Sequence, residues 1–130
     1  MTEHPNAAVL RRIYEAFARG DFAALSDLLA DDIVWHVPGR SLVAGSYHGR
    51  EELLGYFGQL IELSGGTFKA ESRDIVANDK HVVSLEHLTA ERAGKSLDVE
   101  LALVVRVSDG RIVEARDYFS EQNVWDEFWS

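Results

Sequence analysis

The chain has 130 residues, a formal net charge of −9 and no cysteine. This length fits a single domain spanning residues 1–130 with its own hydrophobic core. The acidic balance disfavours nucleic acid and anionic membrane surfaces as partners, because both attract basic proteins. The first residues lack a signal-peptide pattern and no apolar run reaches membrane-spanning length, so we expect a cytoplasmic protein.

Two helices are predicted at the start of the chain. Apolar residues between Leu10 and Phe17 recur at i, i+3, i+4 and i+7, which is the spacing of an amphipathic helix. Gly20 suits the C-terminal cap of this helix, and Asp21 suits the N-cap of a second helix whose apolar side begins at Phe22.

The next segment predicts one short strand and a third helix. Ile33–Val37 is a strand pattern that Pro38-Gly39 stops. We expect a loop over residues 40–49, with a short extended piece around residues 42–44. Apolar periodicity then predicts a helix over Arg50–Leu63, which Gly65-Gly66 ends.

The rest of the chain predicts four long strands, over residues 68–76, 81–90, 97–107 and 111–119. Their short connections predict an antiparallel meander. The third of these strands has one unbroken apolar face, so helices must cover one side of the sheet, and its mixed opposite face is left for solvent or a second subunit. Helices followed by strands make this an α+β domain.

Asp117 is the first candidate for chemistry. Side chains of a strand alternate between two faces, so Val113, Ala115, Asp117 and Phe119 are expected to share one face. A carboxylate on an apolar face must be paired, protonated or placed at the wall of a cavity. The alternative to a functional role is a structural aspartate paired with an arginine or bonded to the backbone.

The order of elements and the residues between them resemble the nuclear-transport-factor-2-like superfamily. Within it the chain is most similar to the branch of ketosteroid isomerases, limonene-epoxide hydrolases and SnoaL-like polyketide cyclases. The segments that carry the resemblance are residues 14–21, 28–39, 44–51 and 109–119. It implies a cystatin-like fold, in which a curved antiparallel sheet wraps around N-terminal helices and leaves a cone-shaped cavity.

The resemblance also implies roles for individual positions. The isomerase base and its two oxyanion-hole groups match Val37, Ile13 and Leu103, none of which carries the required chemical group. Asp117 matches the aspartate with which the epoxide hydrolases activate water, and SnoaL-like cyclases also have an acid/base aspartate in this strand. The hydrolase Arg–Asp pair has no recognisable match in residues 84–88.

These observations predict a cofactor-free enzyme without a metal, acting by general acid/base chemistry on a small apolar or polycyclic substrate. Asp117 would take a proton from a carbon next to a carbonyl group or from an attacking water, and Tyr14 or His36 would donate a hydrogen bond to the oxygen that gains charge. Isomerisation, aldol-type cyclisation and hydrolysis all stay open. The remaining predicted lining residues are apolar: Ile13, Phe17, Trp35, Val37, Phe57, Leu101, Leu103, Ala115 and Phe119. The alternatives are a non-catalytic ligand-binding module and an assembly domain.

Three further expectations come from the sequence, and the first two leave alternatives open. Glu86 and His87 are adjacent on a predicted strand, and either one is a possible polar partner for Asp117. Trp125 and Trp129 belong to a C-terminal aromatic cluster, which is interpreted as a lid over the cavity, as a dimer contact or as packing on the domain itself. We expect a homodimer.

Overall fold

The computed structural model describes residues 3–130. Four helices and six strands follow one another in these residues: α1 (Pro5–Arg19), α2 (Phe22–Asp27), β1 (Leu29–Val37), β2 (Gly45–His48), α3 (Gly49–Leu63), β3 (Lys69–Ala77), β4 (His81–Arg92), β5 (Lys95–Ser108), β6 (Arg111–Phe119) and α4 (Gln122–Phe128). Helices before a long meander confirm the α+β prediction. No helix in this part of the chain is long and apolar enough to cross a membrane.

The six strands form one sheet in the order β2-β1-β6-β5-β4-β3. The predicted antiparallel meander is confirmed for β3 to β6. β1 lies beside β6 and runs parallel to it, with Trp35 opposite Ala115. This long-range pairing brings the first strand next to the last one and completes the curved wall that α1 and α3 cover.

The junction between α1 and α2 forms as predicted. Gly20 caps α1 with a φ of 67°, in the left-handed region that glycine enters at little cost. The Asp21 carboxylate caps α2 by accepting a hydrogen bond of 3.0 Å from the Ala24 N–H. These two caps set the direction in which α1 crosses the sheet.

Two predicted boundaries are wrong. β1 begins at Leu29 rather than at Ile33, because the strand continues through Asp31 and Asp32, whose side chains are exposed. Asp31 accepts an ion-pair contact of 2.7 Å from Arg50. The extended piece expected at residues 42–44 forms at Gly45–His48 instead, where it pairs with β1 as strand β2.

One predicted face is also corrected. The register between β5 and β6 shifts, because Ile112 lies opposite Val107 whereas Ala115 lies opposite Val105. The extra residue is a β-bulge, so Ile112 is fully buried and Val113 is only half-buried. Beyond the bulge the alternation holds, and Ala115 and Asp117 both face the core.

Candidate active site

A cavity lies between α1, α3, α4 and the inner face of the sheet. The space that the centres of water molecules can reach is about 60 Å³, which is room for a few waters. Its wall is mostly aromatic and aliphatic, with four ionisable or phenolic side chains, and consists of these residues: Ile13, Tyr14, Phe17, Trp35, Tyr56, Phe57, Leu60, Phe68, Ala70, Glu86, Leu88, Leu101, Leu103, Asp117 and Trp125.

Asp117 lies on β6, directly opposite Leu103 of β5. Its side chain is buried, with 4% of the residue exposed, and its Oδ1 atom has no hydrogen-bond partner among the described residues. Burial raises the pKa of Asp117 well above its ordinary value, and the nearby charge of Glu86 raises it further. Burial therefore favours the protonated, neutral form of Asp117.

Glu86 is the second buried carboxyl group of the cavity. It lies on β4 opposite Leu101, and only 5% of the residue is exposed. The Tyr14 hydroxyl is hydrogen-bonded to Glu86 Oε2. Burial raises the pKa of Glu86 to about 7, against a smaller lowering by the Tyr14 hydrogen bond. Both protonation states of Glu86 are thus populated near neutral pH.

Tyr14 connects Glu86 to two serines. Its hydroxyl lies 2.7 Å from Ser84 Oγ, and Ser84 Oγ lies 2.8 Å from Ser72 Oγ. Ser84 is fully buried, and its partners come from α1 and from the edge strand β3. Burial, followed by the charge of Glu86, raises the pKa of Tyr14, so the phenol stays neutral.

The cavity contains acids without a basic partner. No lysine, arginine or histidine is found among the lining residues that the structure describes. Tyr56, from α3, has a pKa raised first by burial and then by the charges of Asp117, Tyr47 and Glu86. A buried carboxylate without a counter-charge is expensive, so both acids are biased toward their neutral forms.

Two indole N–H groups at the cavity wall also lack partners. The Trp35 N–H lies close enough to lower the pKa of Asp117, but neither Trp35 Nε1 nor Asp117 Oδ1 forms a hydrogen bond of good geometry within residues 3–130. Trp125 Nε1 is also buried and has no hydrogen-bond partner within residues 3–130. An apolar wall with a few unsatisfied polar groups is typical of a ligand site.

Most of the predicted lining residues meet at this cavity. Eight of the twelve predicted site residues line it: Ile13, Tyr14, Phe17, Trp35, Phe57, Leu101, Leu103 and Asp117. Val37, Ala115 and Phe119 do not. Val37 and Ala115 are buried in the core, and Phe119 stacks on Trp125 with ring centroids 4.3 Å apart, so these three support the wall from behind.

His36 is the clearest correction, because the structure places it outside the cavity. The strand β1 is regular from Val34 to Val37, so Trp35 faces inward and His36 faces outward. Its Nδ1 lies 2.8 Å from Ser46 Oγ, and its Nε2 lies 3.5 Å from Glu114. A donor role for His36 would have required a bulge at this point.

The choice between Glu86 and His87 is also resolved. Glu86 faces the cavity, whereas His87 faces the outer side and its Nε2 lies 2.7 Å from Asp98. The sequence alone could not predict which of the two side chains faces inward, because both faces of β4 carry apolar residues. Ser72, Ser84 and Tyr56 were missed, since a serine or a tyrosine in a strand or helix gives no local signal of its partners.

The C-terminal tryptophans pack on the body of the chain. Trp125 and Trp129 are buried, with 1% and 0% of each residue exposed, and Trp125 contributes to the cavity wall. Both rings lie near Phe68, at centroid distances of 6.5 and 6.2 Å. Helix α4 thus closes one side of the cavity.

Known proteins are similar to this chain in sequence and in architecture. The family model for the SnoaL-like domain matches residues 10–115. An uncharacterized protein of Mycobacterium tuberculosis is 33% identical, with all of both chains covered. Bal32a, from a soil-derived mobile gene cassette, is 40% identical with a TM-score of 0.94 over 97% of each chain. IdmH, a putative polyketide cyclase from Streptomyces antibioticus, is 27% identical with a TM-score of 0.77 over 95% of this chain and 96% of its own. The fold is the cystatin-like fold of nuclear-transport-factor-2-like proteins.

Proposed function

The chain belongs to the SnoaL-like family, and from that premise we propose that residues 1–130 form one domain that acts as a general acid/base enzyme on a small, mostly apolar substrate. The observation that carries this proposal is the pair of buried carboxyl groups, Glu86 and Asp117, facing an apolar cavity whose lining within residues 3–130 includes no basic side chain. Strongly raised pKa values of acids in a cleft are typical of functional sites.

The two acids have different roles in this proposal. Glu86, with a pKa of about 7, is the base that takes a proton from a carbon next to a carbonyl group. Asp117, whose protonated form is favoured by burial, donates a hydrogen bond to the carbonyl oxygen as that oxygen gains charge. This reverses the sequence-based expectation for Asp117, because a protonated carboxyl group is a donor and not a base.

Trp35 and Tyr14 support these roles. The unpaired Trp35 N–H, near Asp117, is a second donor for the same substrate oxygen. Tyr14 already contacts Glu86 and Ser84, so it positions the base and does not contact the substrate oxygen. IdmH is a putative polyketide cyclase, and a cyclisation of that type would begin with the same loss of a proton from carbon.

The test follows proton abstraction directly. The protein is incubated in D₂O with small cyclic ketones such as cyclohexanone, and deuterium at the carbon next to the carbonyl is measured by mass spectrometry. Glu86→Gln and Asp117→Asn should each slow incorporation by roughly 10²-fold or more, which is the usual scale of acid/base catalysis. Asp98→Asn, the same change on the outer face, should leave the rate unchanged. Wild-type rates in both cavity variants would contradict the proposal.

A non-catalytic binding module is the second candidate, and the narrow cavity with its unpaired indole and carboxyl groups favours it. In that case the ketones should raise the melting temperature of the wild type without any deuterium incorporation. Asp117→Asn should weaken this binding, because Asp117 would fix the polar end of the ligand.

We also propose that the protein works in the cytoplasm as a homodimer formed through the outer face of the sheet. Leu85, Ala102 and Tyr118 lie side by side across β4, β5 and β6, and Leu85 and Tyr118 are 50% and 54% exposed. An exposed apolar row is typical of an interface. Light scattering should give twice the chain mass, and Leu85→Glu with Tyr118→Glu should give the monomer. A monomeric wild type would contradict this proposal.

A further inference from the structure

A line of four hydrogen-bonded side chains leads from the cavity to the edge of the sheet. It begins at Glu86, continues through Tyr14 and Ser84, and ends at Ser72. Glu86 lines the cavity, whereas Ser72 is half-buried on β3, the last strand of the sheet. The line therefore joins the proposed base to a strand that has a neighbour on one side only.

The number of hydrogens fixes how these groups can be arranged. Tyr14 has one hydroxyl hydrogen but lies within hydrogen-bonding distance of both Ser84 Oγ and Glu86 Oε2. One of the two contacts must therefore be donated to Tyr14. The contact between Ser84 and Ser72 is compatible with either oxygen as the donor.

Two arrangements form one continuous series of donors along the line, provided that the Glu86 proton is carried by Oε2, the oxygen that contacts Tyr14. An ionised Glu86 can only accept, so Tyr14 donates to Glu86, Ser84 to Tyr14 and Ser72 to Ser84. A protonated Glu86 donates to Tyr14, and then each of the other bonds points the opposite way, toward Ser72. The two arrangements differ by one proton and by the direction of the whole line.

The edge strand gives this line an outlet. The register between β3 and β4 shifts between Ser72 and Asp74, so Arg73 is a bulged residue next to Ser72. The ladder is interrupted at that point, and Ser72 is partly exposed whereas Ser84 is not. Water can meet the line at Ser72 without entering the cavity.

We propose that Tyr14, Ser84 and Ser72 are a proton relay through which Glu86 exchanges its proton with water at the edge of the sheet while a substrate fills the cavity. This rests on the proposed acid/base role of Glu86. This relay returns Glu86 to its ionised form. Glu86 gives its proton to Tyr14 Oη, and Tyr14 gives its own proton to Ser84 Oγ. Ser84 then gives its proton to Ser72 Oγ, and Ser72 gives its proton to water. Each broken O–H bond is replaced by a new one, and the net change is one proton moved from Glu86 to water.

The surroundings of Glu86 keep both arrangements accessible. The titratable groups that face it are Tyr14 from α1, Tyr56 from α3 and Asp117 from β6. All three favour their neutral forms because burial raises their pKa values. Glu86, with a pKa of about 7, changes charge near neutral pH.

The first test needs no substrate. Neutron diffraction of the wild-type protein at pD about 5.5 and about 8.5 covers both sides of the Glu86 titration. The Ser84 deuterium should point toward Ser72 at the lower value and toward Tyr14 at the higher one. A Ser84 deuterium with the same direction in both crystals would overturn the relay, whatever the protein does to ketones.

The second test compares proton exchange with proton abstraction. 3-Cyclohexenone in D₂O reports abstraction at C2 by its conversion to 2-cyclohexenone, and it reports exchange by the deuterium that the base delivers to C4. In the wild type, deuterium should enter C4 at nearly every conversion. In Ser84→Ala and Ser72→Ala the abstracted proton itself should be delivered to C4, so the ratio of deuterium at C4 to product formed should fall by roughly 10²-fold, the lower end of what one positioned proton donor contributes.

The controls separate the relay from the proposed function. Ser72→Thr keeps the hydroxyl group and should restore the ratio, and Ser46→Ala, a serine on the outer side near His36, should not change it. An unchanged ratio in both alanine variants would show that the proton leaves by another route. If the wild type neither converts the ketone nor incorporates deuterium, the proposed function is contradicted instead, and the neutron result then decides the relay alone.

Discussion

The two faces of the sheet differ in whether their ionisable side chains have partners. On the inner face, Glu86 and Asp117 are buried among apolar and aromatic side chains with no cation beside them in the described residues. On the outer face, the next residue after Glu86 is His87, which lies 2.7 Å from Asp98, and Glu114 lies within 3.9 Å of both Arg106 and His36. The same strands thus carry polar groups paired with oppositely charged or polar partners on one side and acids without a cation on the other, and ionisation of those inner acids costs stability.

The largest predicted effect comes from two variants, each of which adds one acid to one face of the sheet. Leu103 is buried opposite Asp117, and Val104, the next residue, is half-buried on the outer face opposite Arg116. Leu103→Asp should cost about 4 kcal/mol or more, because it adds a third acid to a site without cations and removes apolar packing. Val104→Asp should cost about 1 kcal/mol or less. Urea unfolding at neutral pH measures both, and equal losses would mean that the faces do not differ.

The second prediction concerns pH. The pKa of Glu86 rises from 4.5 to about 7 on folding, so the folded chain keeps a proton that the unfolded chain has lost. Its stabilising contribution is complete below pH 4.5 and is lost as the pH rises through about 7, a change of about 3 kcal/mol. The protein should therefore become less stable from pH 5 to pH 8, and Asp117, whose pKa is also raised, adds to the same trend.

Glu86→Gln isolates this effect. The neutral amide keeps an acceptor for Tyr14, so the variant should match the wild type near pH 4.5 and exceed its stability by up to about 3 kcal/mol at pH 8. Glu100→Gln, an exposed glutamate on the outer side of β5, is the matched control and should follow the wild type. If the free energy of unfolding changes with pH in the same way for the wild type and for Glu86→Gln, then Glu86 ionises freely in the folded protein and the prediction is wrong.

The sequence was sufficient where a local pattern carries the information. Period-two alternation placed Asp117 on the inner face of β6 and Trp35 on the inner face of β1, and helical periodicity with a glycine cap placed Ile13 and Phe17 against the same cavity. It was insufficient on β4, where Val82 and Val83 make both faces apolar, so the orientation of Glu86 depended on pairing with β5. The bulge at Val113 and the contact from Tyr14 to Ser84 also depend on register and on helix placement, which are set by residues distant in the chain.

A pair of hydroxyl groups sharpens the comparison further. The Tyr14 hydrogen bond lowers the pKa of Glu86, so Tyr14→Phe should raise that pKa by roughly 1 unit, on the scale of one net hydrogen bond. Tyr118, 54% exposed on the outer face, has no such partner, and Tyr118→Phe should leave the Glu86 titration unchanged. Carbon-13 NMR of the glutamate carboxyl groups measures the midpoint of the Glu86 titration. A shift of equal size in both variants would contradict the specific role of Tyr14.

The smallest effect is expected at the hydrogen bond between His87 and Asp98 on the outer face. Asp98 accepts from His87 at 2.7 Å, yet its side chain is 80% exposed, so water competes for the same charge. Exposed pairs of this kind contribute about 0 to 1 kcal/mol, and salt weakens them further. Asp98→Asn should therefore change the free energy of unfolding by less than about 1 kcal/mol, and 1 M NaCl should reduce even that difference. A loss as large as the one expected for an inner-face acid would mean that the outer charges also determine stability, and that a short distance on this sheet matters more than the face on which it lies.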